Sequence, residues 1–285
     1  MLATDRPVVG PKRLRWQTAE VREVIAETPR VKSLVLHVAD WPVHLPGQHV
    51  DIRLTGEDGY QAQRSYSIAS PPEVPDLMLT VERIDEGEVS PYLANELRPG
   101  DQFELRGPIG GYFVWNVAVG GPLFLIGGGS GIAPLMAMLR HRAAHRNTSP
   151  AILLYSSRTF EDIIYRDELD RLAAPGSGLT VVHTLTRAQP AGWTGGTRRI
   201  DRRHVGRFRI CSECPREMLC LRSNAPCRSN GTIVVEPWPR TKPDQDRTIW
   251  PDRRIGWRST VLINRRFRWM EMLLAASCAS FSLST

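Results

Sequence analysis

The sequence predicts two successive architectures: an antiparallel β-barrel or sandwich over residues 1–118, then an α/β unit with a doubly wound parallel sheet over 119–202, incomplete on its C-terminal side. Three observations carry this. Short alternating apolar runs separated by turn residues fill residues 13–115. After Gly120 the pattern changes to buried strands alternating with helices. Near residue 202 the composition itself breaks. At 285 residues the chain is long enough for two cores, and 41% hydrophobic with 24% charged residues excludes wholesale disorder.

In the first part the strands are Ser33–Val38, His49–Arg53, Leu77–Glu82 and Gln102–Arg106. They are punctuated by Pro46-Gly47, Asp58-Gly59, Pro71-Pro72 and Pro99-Gly100, with one short helix at Ser90–Leu97. In the second part Pro122–Ile126 reads as a fully buried strand, followed by a glycine-rich turn and a helix over Ile132–His145. Ala151–Tyr155 is the next strand, Glu161–Leu172 the next helix, and Leu179–Leu185 a third strand. Strands alternating with helices require parallel pairing through right-handed crossovers.

Residues 203–285 are a different kind of sequence. They hold fifteen of the 37 Lys+Arg and seven of the 30 Asp+Glu, a net charge of +8 that accounts for the chain's overall +7. All five cysteines (Cys211, Cys214, Cys220, Cys227, Cys278) lie there, with half of the eight tryptophans and only three of the 23 glycines. Only Arg258–Ala276 could be a helix, and no strand-helix unit continues the sheet. This basic tail is expected to be poorly ordered and to leave the edge of the third strand uncovered. The N-terminal stretch is basic and Pro-rich without an apolar core, and Met270–Thr285 is too short and polar to span a bilayer, so a soluble, cytoplasmic protein without membrane contact is expected.

Three motifs carry candidate chemistry. Arg64-Ser65-Tyr66-Ser67, placed after a strand, offers a guanidinium for phosphate, a tyrosine face for a flat ring and a hydroxyl for a ring nitrogen. An ordinary exposed strand end is the alternative. Gly87-Glu88-Val89-Ser90 opens the short helix, where free N–H groups suit a pyrophosphate; a plain Ser N-cap is the alternative. Gly127-Gly128-Gly129-Ser130-Gly131-Ile132-Ala133-Pro134 follows a buried strand and opens a helix, where open α/β sheets bind ligands. It is neither G-x-G-x-x-G nor a P-loop.

Taken together with Gly107-Pro108-x-Gly110, these motifs resemble, in order and spacing over about 200 residues, the ferredoxin–NADP reductase family. The resemblance implies a six-stranded FAD-binding barrel followed by a nicotinamide-dinucleotide domain. It implies that Arg64, Ser65, Tyr66, Ser67 and Val81 contact FAD, with Arg64 on its phosphate. Tyr66 and Ser67 would lie at the reacting ring, and Gly87, Glu88, Val89 and Ser90 on the pyrophosphate. Gly128, Gly129, Ser130, Gly131 and Pro134 would cradle the nicotinamide side of NAD(P)H, with Ser156, Ser157 and Arg158 near the adenosine ribose. The implied activity is hydride transfer from NAD(P)H to FAD and electron delivery to a separate redox partner: a ferredoxin, or a haem or iron–sulfur oxygenase component. No nucleic acid and no metal are expected.

The sequence departs from the family in lacking its Cys-Gly-x-x-Pro turn and its terminal Glu-Arg-aromatic-Gly segment. Read one base later, codons for Cys220–Ala225 can yield Val-Cys-Gly-Arg-Thr-Pro and those for Arg247–Trp250 can yield Glu-Arg-Tyr-Gly; Ile255-Gly256 can then yield a stop. A change of reading frame between Ile200 and His204 would restore both motifs and make the five cysteines accidental. The rivals are a metal knuckle of Cys211, Cys214, Cys220, Cys227 and His204, whose spacing fits no zinc or plant-type iron–sulfur pattern, and a nucleic-acid or acidic-partner arm built from the Arg/Trp-rich tail.

Overall fold

The computed structural model describes residues 14–200 and the backbone of three short strands beyond them. The first sheet holds β1 (Gln17–Thr28), β2 (Val31–Val38), β3 (His49–Thr55), β4 (Gln61–Ser67), β5 (Leu77–Glu82) and β6 (Gln102–Ile109), in the order β4-β3-β6-β1-β2-β5, all pairs antiparallel. A bridge between Ile68 and Leu79, with Ala69 N–H donating to Met78 O at 2.7 Å, joins the last strand to the first and closes the barrel. Alternation puts Ala19, Val21, Leu36, Ile52, Leu79, Val81 and Leu105 inside. The short helix α1 (Ser90–Asn95) stoppers this core with Leu93 and Ala94.

Arg64–Ser67 do not follow a strand, as the sequence implied, but are the last four residues of β4 itself. The alternation was hidden because this strand, Gln-Ala-Gln-Arg-Ser-Tyr-Ser, buries only Ala62.

The second sheet contains β7 (Leu123–Gly128), β8 (Ala151–Ser157) and β9 (Leu179–Leu185), paired parallel in that order. Helix α2 (Ala133–Ala144) connects the first two and α3 (Arg166–Leu172) the second and third. Leu125, Ile152, Leu153 and Tyr155 are buried, as strands covered on both faces require. The second helix begins five residues later than Glu161, because Tyr165 takes a left-handed conformation (φ 59°) that no α-helix can propagate through.

Two expectations for the tail are corrected. The β9 edge is met near its end by Gly196, which lies in a parallel bridge with Thr184; Leu185 N–H donates to Gly196 O at 2.9 Å and Gly196 N–H to His183 O at 3.0 Å. Glycine permits this approach, since a Cβ on Gly195 would stand 2.8 Å from His183 O. Within the stretch expected as a helix, Val261–Ile263 instead form a strand, β12, antiparallel to β7 with Val261 opposite Ile126. An apolar triplet with two β-branched residues, Val261 and Ile263, meeting an open sheet edge favours pairing over helix. Strands β10 (Phe208–Ile210) and β11 (Leu219–Leu221) form a separate antiparallel pair. The proposed cysteine knuckle and both frame-dependent motifs lie outside the described residues, except for the backbone at Leu219–Leu221.

Burial of histidine predicts an acid-labile fold. His44 is held neutral from both sides: its Nδ1 accepts the Trp41 indole N–H at 3.4 Å and its Nε2 donates to Ser70 O at 3.1 Å. Burial pushes its pKa below the usual imidazole value, and burial does the same to His183. Groups with depressed folded pKa values contribute stability that is present above the unfolded value, about 6.5, and lost as pH falls through the folded one. The melting temperature is therefore expected to be level from pH 8 to 7 and to drop progressively below pH 6.5 in a calorimetric series. A flat profile down to pH 5 would remove these histidines from the account.

Candidate functional site

Between the barrel edge and the C-terminal ends of the parallel strands lies a cavity of about 230 Å³. The sheet contributes Gly127–Gly131 at the end of β7 and just beyond it, Ser156 and Ser157 at the end of β8 with Arg158 following, and Thr186 and Arg187 after β9. The barrel contributes Thr28, Arg30, Val31 and Glu82. This is where parallel sheets bind ligands, because the loops there spread apart as the strands end.

The glycines are needed for geometry. Gly129 sits at φ +52°, and a Cβ on Gly127 would stand 3.0 Å from Leu135 beneath it. After Gly128 the chain makes a single 3₁₀ turn, Gly129–Ile132, before α2 starts. The turn is pinned from two sides. The Tyr155 phenol, kept protonated by complete burial, donates to Gly129 O at 3.0 Å. The Ser130 hydroxyl donates to the Glu82 carboxylate at 2.9 Å, and that carboxylate's other oxygen is 3.5 Å from the Arg158 guanidinium. One barrel side chain thus touches both nucleotide-side loops.

Of the residues singled out from sequence, the structure gathers Gly128, Gly129, Ser130, Gly131, Ser156, Ser157 and Arg158 around this cavity. Pro134 is not among its lining residues; it is buried in the first turn of α2. Glu82, Arg30, Asp162 and Arg187 line it and were missed. Glu82 was readable: Val81 points into the barrel, so period-two alternation turns the next side chain outward into the cleft.

The barrel residues form a second constellation. Arg64 Nη2 donates to Glu88 at 2.9 Å and Tyr60 donates to the same carboxylate at 3.1 Å, which brings β4 and the 87–90 segment together on an exposed face. A Cβ on Gly87 would stand 3.0 Å from both Ile84 O and Ser90 Oγ, so this turn tolerates only glycine without adjustment. Tyr66 packs against the barrel core, and Ser67 pairs with His49 across the sheet. Ser65 Oγ donates to Asp51 at 2.7 Å. That carboxylate also takes Arg106, and these bonds outweigh burial to hold its pKa below the usual range. Val81 and Val89 are wholly inside the barrel core, leaving only their backbone to face a ligand. Ser90 does not cap α1; its hydroxyl accepts Ile84 N–H at 3.1 Å, and α1 is too short to add much dipole.

Among the described residues one group has metal-capable side chains together: Glu73, His141 and His145, with ligand atoms within 4.8 Å of one another. His141 Nε2 accepts Val117 N–H at 3.3 Å, so the ring proton sits on Nδ1 and is donated to Glu73 at 2.6 Å. The group is a hydrogen-bonded clamp between α2 and the barrel.

Comparison with known proteins fits this arrangement. The family profile for the oxidoreductase FAD-binding domain matches residues 19–114, and that for the oxidoreductase NAD-binding domain matches 125–218. Ferredoxin–NADP reductase B of Sorangium cellulosum is 35% identical over 171 residues, covering 59% of this chain and 68% of that protein. The chain belongs to the ferredoxin–NADP reductase family. Methane monooxygenase component C of Methylosinus trichosporium is another relative, 35% identical over 129 residues, 45% of this chain and 37% of its own. The chain thus spans well under half of that relative's length. Among solved structures, the flavohaem-like FAD/NAD-binding domain of the nitric oxide dioxygenase from Vibrio cholerae superposes with a TM-score of 0.59 at 26% identity, covering 65% of this chain and 79% of that one. The NAD-binding match runs past the composition break near residue 202. No helix among the described residues is long and apolar enough to cross a membrane.

Proposed function

We propose that the chain is an NAD(P)H-dependent FAD oxidoreductase that passes electrons to a separate redox partner, a ferredoxin or a haem or iron–sulfur oxygenase component. The observation that carries this is the glycine turn at the end of β7, opening on a cavity whose other wall is the barrel edge. We take residues 1–118 as the FAD domain and 119–202 as the NAD(P)H domain.

The residues fit both groups. Arg64 and the backbone of Gly87–Ser90 would hold the flavin pyrophosphate, since the guanidinium already binds an anion, Glu88, at the mouth of that turn. Tyr66 offers a ring face and Ser67 a hydroxyl to the reacting edge. Gly128–Gly131 leave room for a dinucleotide backbone, and Ser156, Ser157 and Arg158 stand at the end of the next strand, where the adenosine half would lie. FAD, when bound, supplies acceptance of a hydride from the nicotinamide and one-electron release to the partner. The protein's own work is to align two flat rings and exclude water between two buried cores.

The purified chain is expected to show a flavin absorbance spectrum, and NAD(P)H is expected to bleach it under anaerobic conditions. Colourless protein that does not take up FAD would overturn the barrel assignment. A flavin spectrum that no pyridine nucleotide bleaches would favour a second reading, a flavin-binding protein without turnover. The antiparallel β12 on the β7 edge is the observation that favours it.

A further inference from the structure

Tyr165 combines an unusual backbone with an unusual side-chain position. A bulky non-glycine residue at φ 59° is a conformational outlier that persists only where the surroundings impose it. Its side chain is 5% exposed and leaves its own domain to reach the barrel. The phenol oxygen is hydrogen-bonded to Ser33 of β2 at 2.9 Å and to Thr80 of β5. Both hydroxyls are buried, and Ser33 and Thr80 are themselves adjacent across the β2–β5 ladder. Above the ring lies the Arg140 guanidinium, 4.7 Å from its centre. Arg140 makes two 2.7 Å bonds to Glu168 and a 2.8 Å bond to Ala69 O of the barrel.

The consequence reaches the cavity. Tyr165 ends the segment that starts at Arg158, and that segment supplies Arg158, Asp162 and Ile164 to the cavity lining. Its other end is fixed by β8. Glu82, two residues beyond Thr80 on β5, lines the opposite wall and contacts Ser130 and Arg158. The phenol therefore ties the connection between β8 and α3 to the strand that forms the other wall of the cleft.

We infer that Tyr165 is a positioning residue for the dinucleotide: its hydroxyl, held by Ser33 and Thr80, sets the spacing between the 158–165 segment and the barrel wall at which the adenosine half of NAD(P)H is gripped. This rests on the nucleotide-cleft reading above. An untethered segment would settle closer to ordinary φ values and shift Arg158 and Asp162 away from Glu82. The ring and its contact with Arg140 belong to packing, and only the hydroxyl belongs to the tether.

The test is Tyr165→Phe in the full FAD-loaded chain, read by calorimetric titration with ADP-ribose and with its 2′-phosphate, probes that carry no reducible ring. Binding is expected to weaken about tenfold, as loss of a buried hydrogen bond predicts. FAD affinity is expected to be unchanged, because no flavin contact is touched. Ser33→Ala combined with Thr80→Val, which leaves Tyr165 intact, is expected to weaken both probes equally, and adding Tyr165→Phe to that pair is expected to cost nothing more. A lowered melting temperature with unchanged probe affinity would overturn the inference and leave Tyr165 as packing alone. Additive losses in the triple variant would overturn it as well. If the unmodified chain binds neither probe, it is the cleft reading that fails, and the tether fails with it.

Discussion

Replacing Arg64 with Ala is expected to weaken FAD binding roughly 10- to 100-fold while leaving the barrel folded. The two halves of this expectation have separate physical grounds. Arg64 and Glu88 are both about half exposed, and their ion pair stands in water, where such pairs are worth little. The backbone pairing of Arg64 with Ile52 survives the substitution, and no core side chain is touched. A phosphate, by contrast, would take from the guanidinium charge-assisted hydrogen bonds that alanine cannot replace. Titration of apoprotein with FAD, followed by flavin fluorescence, measures the loss, and a parallel melt of the apoprotein checks the fold. Unchanged affinity would make Arg64 an ordinary strand-end residue whose partner is Glu88 alone. Glu88→Gln sharpens the comparison. If the carboxylate and the cofactor phosphate share Arg64, removing the carboxylate's charge is expected to tighten FAD binding by a few fold at most, within the range of an exposed ion pair.

How much of this was legible in the sequence depends on what kind of physics each element uses. Leu77–Glu82 and Leu179–Leu185 were read with their observed bounds, because a run of buried apolar residues between turn signals has one simple solution. The glycine turn after β7 was legible as chemistry, since only glycine fits a left-handed position beneath an approaching ligand. The start of α3 was not, because Tyr165 adopts its left-handed conformation for hydroxyl partners more than eighty residues away in the chain, and no local pattern records that. Val81 and Val89 were singled out as cofactor-binding positions, and which way their side chains turn was illegible for a related reason. Position within a motif says that the backbone passes the ligand, whereas the alternation of the strand decides which way the side chain turns. Glu82, the barrel carboxylate that touches both cleft loops, follows from that same alternation once Val81 is placed inside. The edge of β9 was expected to stay open because no later strand was found, but closing an edge needs only one or two backbone bonds, and Gly196 supplies them.

The largest effect is expected from the reading frame. In a doubly wound sheet the fourth strand crosses to the far side of the first and runs parallel to it, so that its C-terminal end delivers a loop to the ligand crevice. Here the far side of β7 is taken by β12, which is three residues long and antiparallel. An antiparallel strand at that edge enters from the crevice end and leaves toward the opposite end, so it cannot place a following loop over the glycine turn. The chain as written therefore builds the glycine turn and the loop after β8, but among the described residues no parallel fourth strand stands beside β7 to carry a loop to the nicotinamide side of the proposed site. In the shifted frame, Val-Cys-Gly-Arg-Thr-Pro can arise from codons 220–225, a strand-end residue followed by a turn, and a stop can arise near codon 255, which would remove the segment that forms β12. We propose that restoring this frame from about residue 203 raises the anaerobic rate of flavin reduction by NAD(P)H by orders of magnitude. FAD affinity is expected to stay the same, because the proposed flavin contacts all precede residue 100. Sequencing the gene across codons 195–260 decides whether the shifted reading exists, and stopped-flow absorbance of the two chains side by side measures the rate. Rapid, saturable NADPH oxidation by the chain as written, with an artificial acceptor, would show instead that residues 203–285 complete a working site in their present frame.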